Sequence, residues 1–164
     1  MTSRRRARIW AVQQLFQRDF NPDGAERVWD ALTEERDPDE PQPGEDERAQ
    51  AFAESLVNGV IARRVEIDTL LGRAAVNWTI HRMSGVDRNI MRAAICEMLA
   101  YPDIPPAVTI NEALEVAKML SDDASPRFIN GVLDRVRRDL ETQTRKPSDK
   151  SEMSDKSDSS GVHA

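Results

Sequence analysis

The stretch SGVDRNIMRAAICEMLAY, Ser84 to Tyr101, decides the fold. At the helical period Val86, Ile90, Ala93, Ala94 and Tyr101 share one side, while Met91, Ile95, Cys96, Met98 and Leu99 carry apolar surface around most of the rest. A helix with so little polar surface has to be enclosed by other helices. Ser84 followed by Asp87 is a capping-box pattern that sets its start. Tyr101-Pro102 sets its end, because the proline ring disfavours the helical conformation of the residue before it. Glu97 falls inside the apolar arc, where an unpaired carboxylate is expensive. A catalytic acid is one reading of it. A structural hydrogen bond to a neighbouring helix is the preferred one, since no second catalytic group lies near it in sequence.

Outward from this stretch the chain reads as helices. The first is expected over Arg4 to Asp19, capped by Ser3 and ended by Asn21-Pro22, with Ile9, Val12, Phe16 and Phe20 on one face. A shorter one fits Gly24 to Arg36. The Pro-rich acidic segment Asp37 to Gly44 is expected as a loop. Apolar spacing from Glu45 to Gly72 predicts one long helix bent near Gly59, and Ala74 to Arg82 a short one leading into the central helix. Thr109 and Glu112 form a second capping-box pattern, opening a helix to about Leu120. Ser125-Pro126 opens the last helix, whose core face is Ile129, Val132, Leu133, Val136 and Leu140. From Gln143 to Ala164 large aliphatics almost vanish and charges cancel, which predicts a disordered tail. No period-two alternation and no internal repeat is present. The expectation is an all-α bundle of about seven helices, with one domain over residues 1–142 and a tail over 143–164.

Charge is uneven along the 164 residues. The net charge is −6, but Glu34 to Glu47 alone contributes −7, which leaves the remainder at +1 with a sharply basic start. The acidic run reads as a solvated loop. Arg4, Arg5, Arg6 and Arg8 crowd the first turns of the first helix, where the helix dipole disfavours cations. A frayed basic end and a polyanion-binding site both fit that pattern. The single cysteine, Cys96, excludes an internal disulfide and reads as packing. The two histidines, His81 and His163, stand in no ligand pattern, so neither a metal nor a cofactor is expected. There is no phosphate-binding glycine loop, no GxSxG elbow, no triad and no HExxH, and nothing resembles a signal peptide or a membrane span. A cytoplasmic binding protein rather than an enzyme is the expectation.

Four segments, RRRARIWAVQQLFQ from Arg4, GVDRNIMRAAICEML from Gly85, IPPAVTINEALEVAK from Ile104 and SPRFINGVLDRV from Ser125, resemble the NusB transcription antitermination family in order and spacing. The resemblance implies two small helical subdomains and a partnership with NusE, the small-subunit ribosomal protein. It further implies binding of single-stranded boxA RNA in nascent ribosomal transcripts, within the RNA polymerase antitermination complex. By position, Arg4, Arg5, Arg6 and Arg8 match the family's RNA-contacting basic segment, Phe16 stands where tyrosine is common, and Phe128 matches an aromatic near the start of the last helix. Arg127 and Arg135 complete the implied RNA-binding set, and Asp87 matches an acidic position in the contact with NusE. Ala124 stands where some members carry an acid, and the acidic insert and serine-rich tail are departures from the family. By itself Phe128 reads as closing the core edge; with the resemblance it reads as a stacking ring, with Gly131 leaving space beside it and Arg135 able to neutralise a phosphate. Two other readings stand beside this one. One is an RNA-binding module like those preceding ribosomal RNA cytosine methyltransferase domains, although the chain ends before such a domain could begin. The other is a protein-interaction module in which the acidic run masks the arginines.

Overall fold

A computed structural model describes residues 1–20, 39 and 46–145. Six α-helices and a single 3-10 turn make up these residues: α1 (Ser3–Phe20), α2 (Glu47–Ala62), α3 (Arg64–Ala74), the turn Ile80–Arg82, α4 (Gly85–Ala100), α5 (Pro106–Leu120) and α6 (Ser125–Arg145). The expected helix over Gly24 to Arg36, nearly all of the acidic loop and most of the tail lie outside the described residues.

The stretch from Ser84 to Tyr101 forms α4, and it packs against every other described helix. Ile90, Met91, Ile95 and Cys96 are buried on it. Its cap is the expected one, with the Asp87 backbone N–H donating to Ser84 Oγ at 3.1 Å. Its end is also as expected, Tyr101 leaving helical geometry at ψ 74°. Around α4, α1 pairs with α2, while α6 packs on both α3 and α5. Trp10 of α1, Leu56 of α2, Ile67 and Leu71 of α3 and Leu133 of α6 are fully enclosed. The core face expected for α6 is in place, with Ile129, Val132, Leu133 and Val136 buried and Leu140 half-buried at its edge.

Several boundaries differ from expectation, each for a local reason. The cap of α1 is Thr2, whose Oγ1 accepts the Arg5 N–H at 3.2 Å; Ser3 instead donates to Asp46, the cap of α2, at 2.6 Å. The long helix is two helices, broken at Arg63 rather than bent at Gly59. Arg63 N–H still bonds Gly59 O at 3.0 Å and Ile67 N–H bonds Arg63 O at 2.9 Å, so the apolar period runs on through the break. The short helix expected over Ala74 to Arg82 is only the 3-10 turn Ile80–Arg82; α3 ends at Ala74, and Asn77 beyond it sits at φ 71°, a left-handed conformation that asparagine tolerates. Finally, α5 starts at Pro106, ahead of Thr109, because proline is pre-organised for the first helical position and Thr109 is already within the first turn.

The last helix runs to Arg145, past the expected boundary at 142. Residues 141–145 hold no Gly or Pro, and the first breaker in the sequence is Pro147.

Gly59 has a packing task. A Cβ there would stand 2.6 Å from the Cys96 sulfur, so the glycine lets α2 approach α4. Burial pushes the Cys96 thiol up to about 11, which makes it an inert packing group. Gly59→Ala should therefore destabilise the fold by ~1–3 kcal/mol through overpacking. Denaturant unfolding of Gly59→Ala, Cys96→Ala and the double variant checks this. The double variant should lose less stability than the two single variants combined, and strict additivity would mean that the two helices do not meet there.

Candidate nucleic-acid interface

The four N-terminal arginines are largely occupied within the fold. Arg8 is 7 % exposed and grips Glu97 with both arms, Nε to Oε2 at 2.9 Å and Nη2 to Oε1 at 2.6 Å. Thr109 Oγ1 donates to the same carboxylate at 3.0 Å, so Glu97 joins α1, α4 and α5. Arg6 is buried too, its Nη1 donating to Asp46 at 2.6 Å. Hydrogen bonds from Ser3, the Ala49 N–H and Arg6 hold the Asp46 carboxyl below its ordinary range. Arg5 pairs in a fork with Glu112, Nε to Oε2 at 3.0 Å and Nη2 to Oε1 at 3.1 Å, and remains about a third exposed. Arg4 is exposed, with its guanidinium 4.7 Å from the centre of the Phe52 ring. Phe52 in turn meets Tyr101 edge-on at 5.2 Å. The basic segment thus has a buried half, Arg6 and Arg8, and a solvent half, Arg4 and Arg5.

The far end of α1 carries a second polar anchor. Asp19 accepts from Arg88 at 3.1 Å and from Asn89 at 2.9 Å, and Arg92 clasps Asp68 of α3 with Nε at 2.8 Å and Nη2 at 3.0 Å. Burial alone would raise the Asp19 carboxyl; hydrogen bonds from Asn89 and Arg88 and the charge of Arg92 outweigh it and hold the group low. Phe16, half-buried, lies 5.0 Å from the Phe20 ring and against Gly85, where a Cβ would come within 2.9 Å of its edge. Along α1, Phe16 is ~18 Å from Arg4 at 1.5 Å per residue, so the ring and the arginines do not meet.

Phe128 and Asp87 do meet. Both line a groove of about 310 Å³ together with Trp78, Arg82, Ser84 and Ser125. Phe128 is half-buried, as the sequence implies, and stands edge-on to Trp78 at 5.9 Å. Asp87 is 8 % exposed, and its carboxylate accepts from Ser121 and Ser125, tying the start of α4 to the turn between α5 and α6. Arg127 is exposed beside Phe128. Arg135 opens on a different hollow, of about 460 Å³, with Arg73 and Asp139. Gly131 leaves the expected open space, with no atom within 4 Å of a Cβ built on it. Trp78, 52 % exposed, and Arg82 were not legible as site residues, because the expected short helix would have turned them on a different period. Trp78 directly follows the left-handed Asn77, and an Asn-Trp pair carries no distinctive signal for that in sequence.

Residues 5–138 match the NusB family. Transcription antitermination protein NusB of Geotalea uraniireducens (strain Rf4) is 44% identical over 137 residues, covering 83% of this chain and 94% of that protein. Among solved structures, T. maritima NusB is similar at a TM-score of 0.67 with 36% identity, over 84% of this chain and 92% of that one. A chain in a complex of the antitermination factors NusB and NusE with dsRNA shares the fold at a TM-score of 0.68 with 22% identity, over 85% of this chain and 98% of that one.

Both polar anchors bear on stability. Glu97→Ala strands the buried Arg8 charge and should cost ~3–5 kcal/mol in urea unfolding; a near-neutral result would contradict a buried pair. The lowered carboxyls give a pH dependence with a definite sign. A carboxyl held low in the folded state adds stability above its unfolded value, and that stability disappears as pH falls through the folded one. Stability should therefore decline as pH drops below the ordinary values of 4.5 for Glu112 and 3.8 for Asp19 and Asp46. Unfolding between pH 7 and 3 should show Asp19→Asn less stable than wild type near neutrality, with the gap closing in acid. A gap that is constant with pH would remove Asp19 as a contributor.

Proposed function

This chain belongs to the NusB family, and from that premise we propose that it is a transcription antitermination factor that pairs with the ribosomal protein NusE and binds single-stranded boxA RNA of nascent ribosomal transcripts. The observation that carries the reading is the extent of the family match, which spans α1 from Arg5 on, Asp87 and the Phe128 groove together. The work is binding rather than catalysis, and the place is the cytoplasm, where the polymerase is; no described helix is long and apolar enough to cross a membrane.

The roles divide according to burial. Arg4 and Arg5 face solvent and take phosphates, Arg5 by exchanging Glu112 for RNA. Arg6 and Arg8 hold α1 in place and support the site from beneath. Phe128, with Arg127 and Arg135 on the same helix, supplies a ring and cations for a base and its phosphates. Phe16 keeps the end of α1 against α4. Asp87 serves NusE docking by holding the start of α4 and the turn before α6 in one rigid surface.

Titration of fluorescent boxA RNA and a scrambled sequence, with and without NusE, tests this directly. BoxA should bind more tightly, and NusE should widen the margin; equal affinities under all four conditions would refute the reading. Replacing Arg4 and Arg5 by alanine should shallow the dependence of log K on log salt by ~0.7 for each phosphate that the variant no longer neutralises. Phe128→Ala should weaken RNA binding by ~1–3 kcal/mol if the ring stacks on a base. The accompanying drop in folding stability should stay below the ~3–5 kcal/mol of a fully buried phenylalanine.

A further inference from the structure

Between α3 and α6 the surface opens into a hollow that Arg135 shares with Arg73, a residue given no role above. Arg73, at the end of α3, is exposed and has no ion-pair partner among the described residues. Across the hollow, Arg135 makes only a loose contact with Asp139 at 3.8 Å, with the arginine side chain half exposed. Both guanidinium groups open on the same space of about 460 Å³.

Going toward the start of α6, the seam continues to the Trp78–Phe128 groove. The chain leaves α3 and presents Trp78 against Phe128, so the same two segments border both openings. Phe128 and Arg135 are ~10 Å apart along the helix axis. Gly131 lies between them with nothing projecting from it. Exposed Arg82 and Arg127 flank the aromatic end. Stacking surfaces at one end, weakly engaged cations at the other and a smooth step between them form the pattern by which single strands are held. Charge and rings together favour a polyanion with bases over an acidic peptide, because the rings would find no counterpart on glutamate side chains.

We propose that this seam is a second contact for single-stranded RNA, in which Arg73 and Arg135 clasp a backbone phosphate a few nucleotides from a base lying in the groove against the Trp78–Phe128 pair. The inference rests on the RNA-binding reading above and extends its footprint from α6 to Arg73 of α3 and to Trp78. Neither Arg73 nor Trp78 takes part in the core, so both can be changed without unfolding the chain.

The test uses the full chain and boxA RNA followed by anisotropy over a salt series, with poly-glutamate as a second titrant. Arg73→Glu should weaken RNA binding by roughly tenfold and shallow the salt slope by ~0.7. Lys118→Glu, an equal change of charge at an exposed site on α5, should do much less. Trp78→Ala should weaken binding by roughly fivefold or more while leaving the salt slope unchanged. If Arg73→Glu matches Lys118→Glu while wild type binds RNA, the seam is not on the path and only this inference falls. Poly-glutamate binding that is as tight as RNA and equally sensitive to Arg73 would make the seam a peptide site and overturn it. Wild-type protein that binds no RNA removes the antitermination reading and this inference together.

Discussion

Arg8 and Glu97 form the contact on which the arrangement of α1, α4 and α5 depends. Two charges taken out of water each lose several kcal/mol of hydration, and only close, two-armed geometry with further hydrogen bonds offsets that. The fork supplies the geometry and Thr109 supplies the further bond. Trp10 and Leu15 fill the core beside small Ala7 and Ala11, and the buried pair adds a directional constraint to that apolar packing. A buried pair admits one register. The Asp19 anchor at the opposite end of α1 restricts it again, through Arg88, Asn89 and Arg92, and Arg92 carries the constraint on to α3 through Asp68.

With both ends of α1 held, the surface follows. Arg4 and Arg5 are turned outward over Phe52 and Glu112. The same rigid frame sets α6 with its apolar face inward, leaving Phe128 at the rim and Arg127 and Arg135 outside. The exposed cations proposed to meet RNA therefore include two groups, one at the start of α1 and the other along α6. A nucleic-acid strand that uses both needs the protein between them to be stiff, and the ion pairs beneath the surface provide that stiffness.

The stretch from Ser84 to Tyr101 was legible because its signals are local: a hydroxyl cap, a helical period and a following proline. So were the core face of α6 and the open space beside Gly131. What escaped was decided by partners distant in sequence. Four arginines within five positions read as one basic patch, yet burial splits them, and the acids that do so, Asp46, Glu97 and Glu112, stand 40 or more positions away. Thr109 reads as a helix cap from its spacing to Glu112, but its hydroxyl donates to Glu97 on another helix. Ser125 likewise turns to Asp87. The break at Arg63 left the apolar period intact, and the left-handed Asn77 stands where a continuous helix was expected.

Replacing Arg8 and Glu97 together by methionine separates the two tasks of the basic segment most directly. A buried ion pair exchanged for apolar side chains of similar volume is often neutral or stabilising. If Arg8 serves the fold and the solvent-facing arginines serve RNA, the double variant folds and binds boxA RNA with wild-type affinity and an unchanged salt slope. A variant that is folded yet binds more weakly, with a slope shallower by ~0.7, would place Arg8 on a phosphate and contradict the division of the arginines by burial.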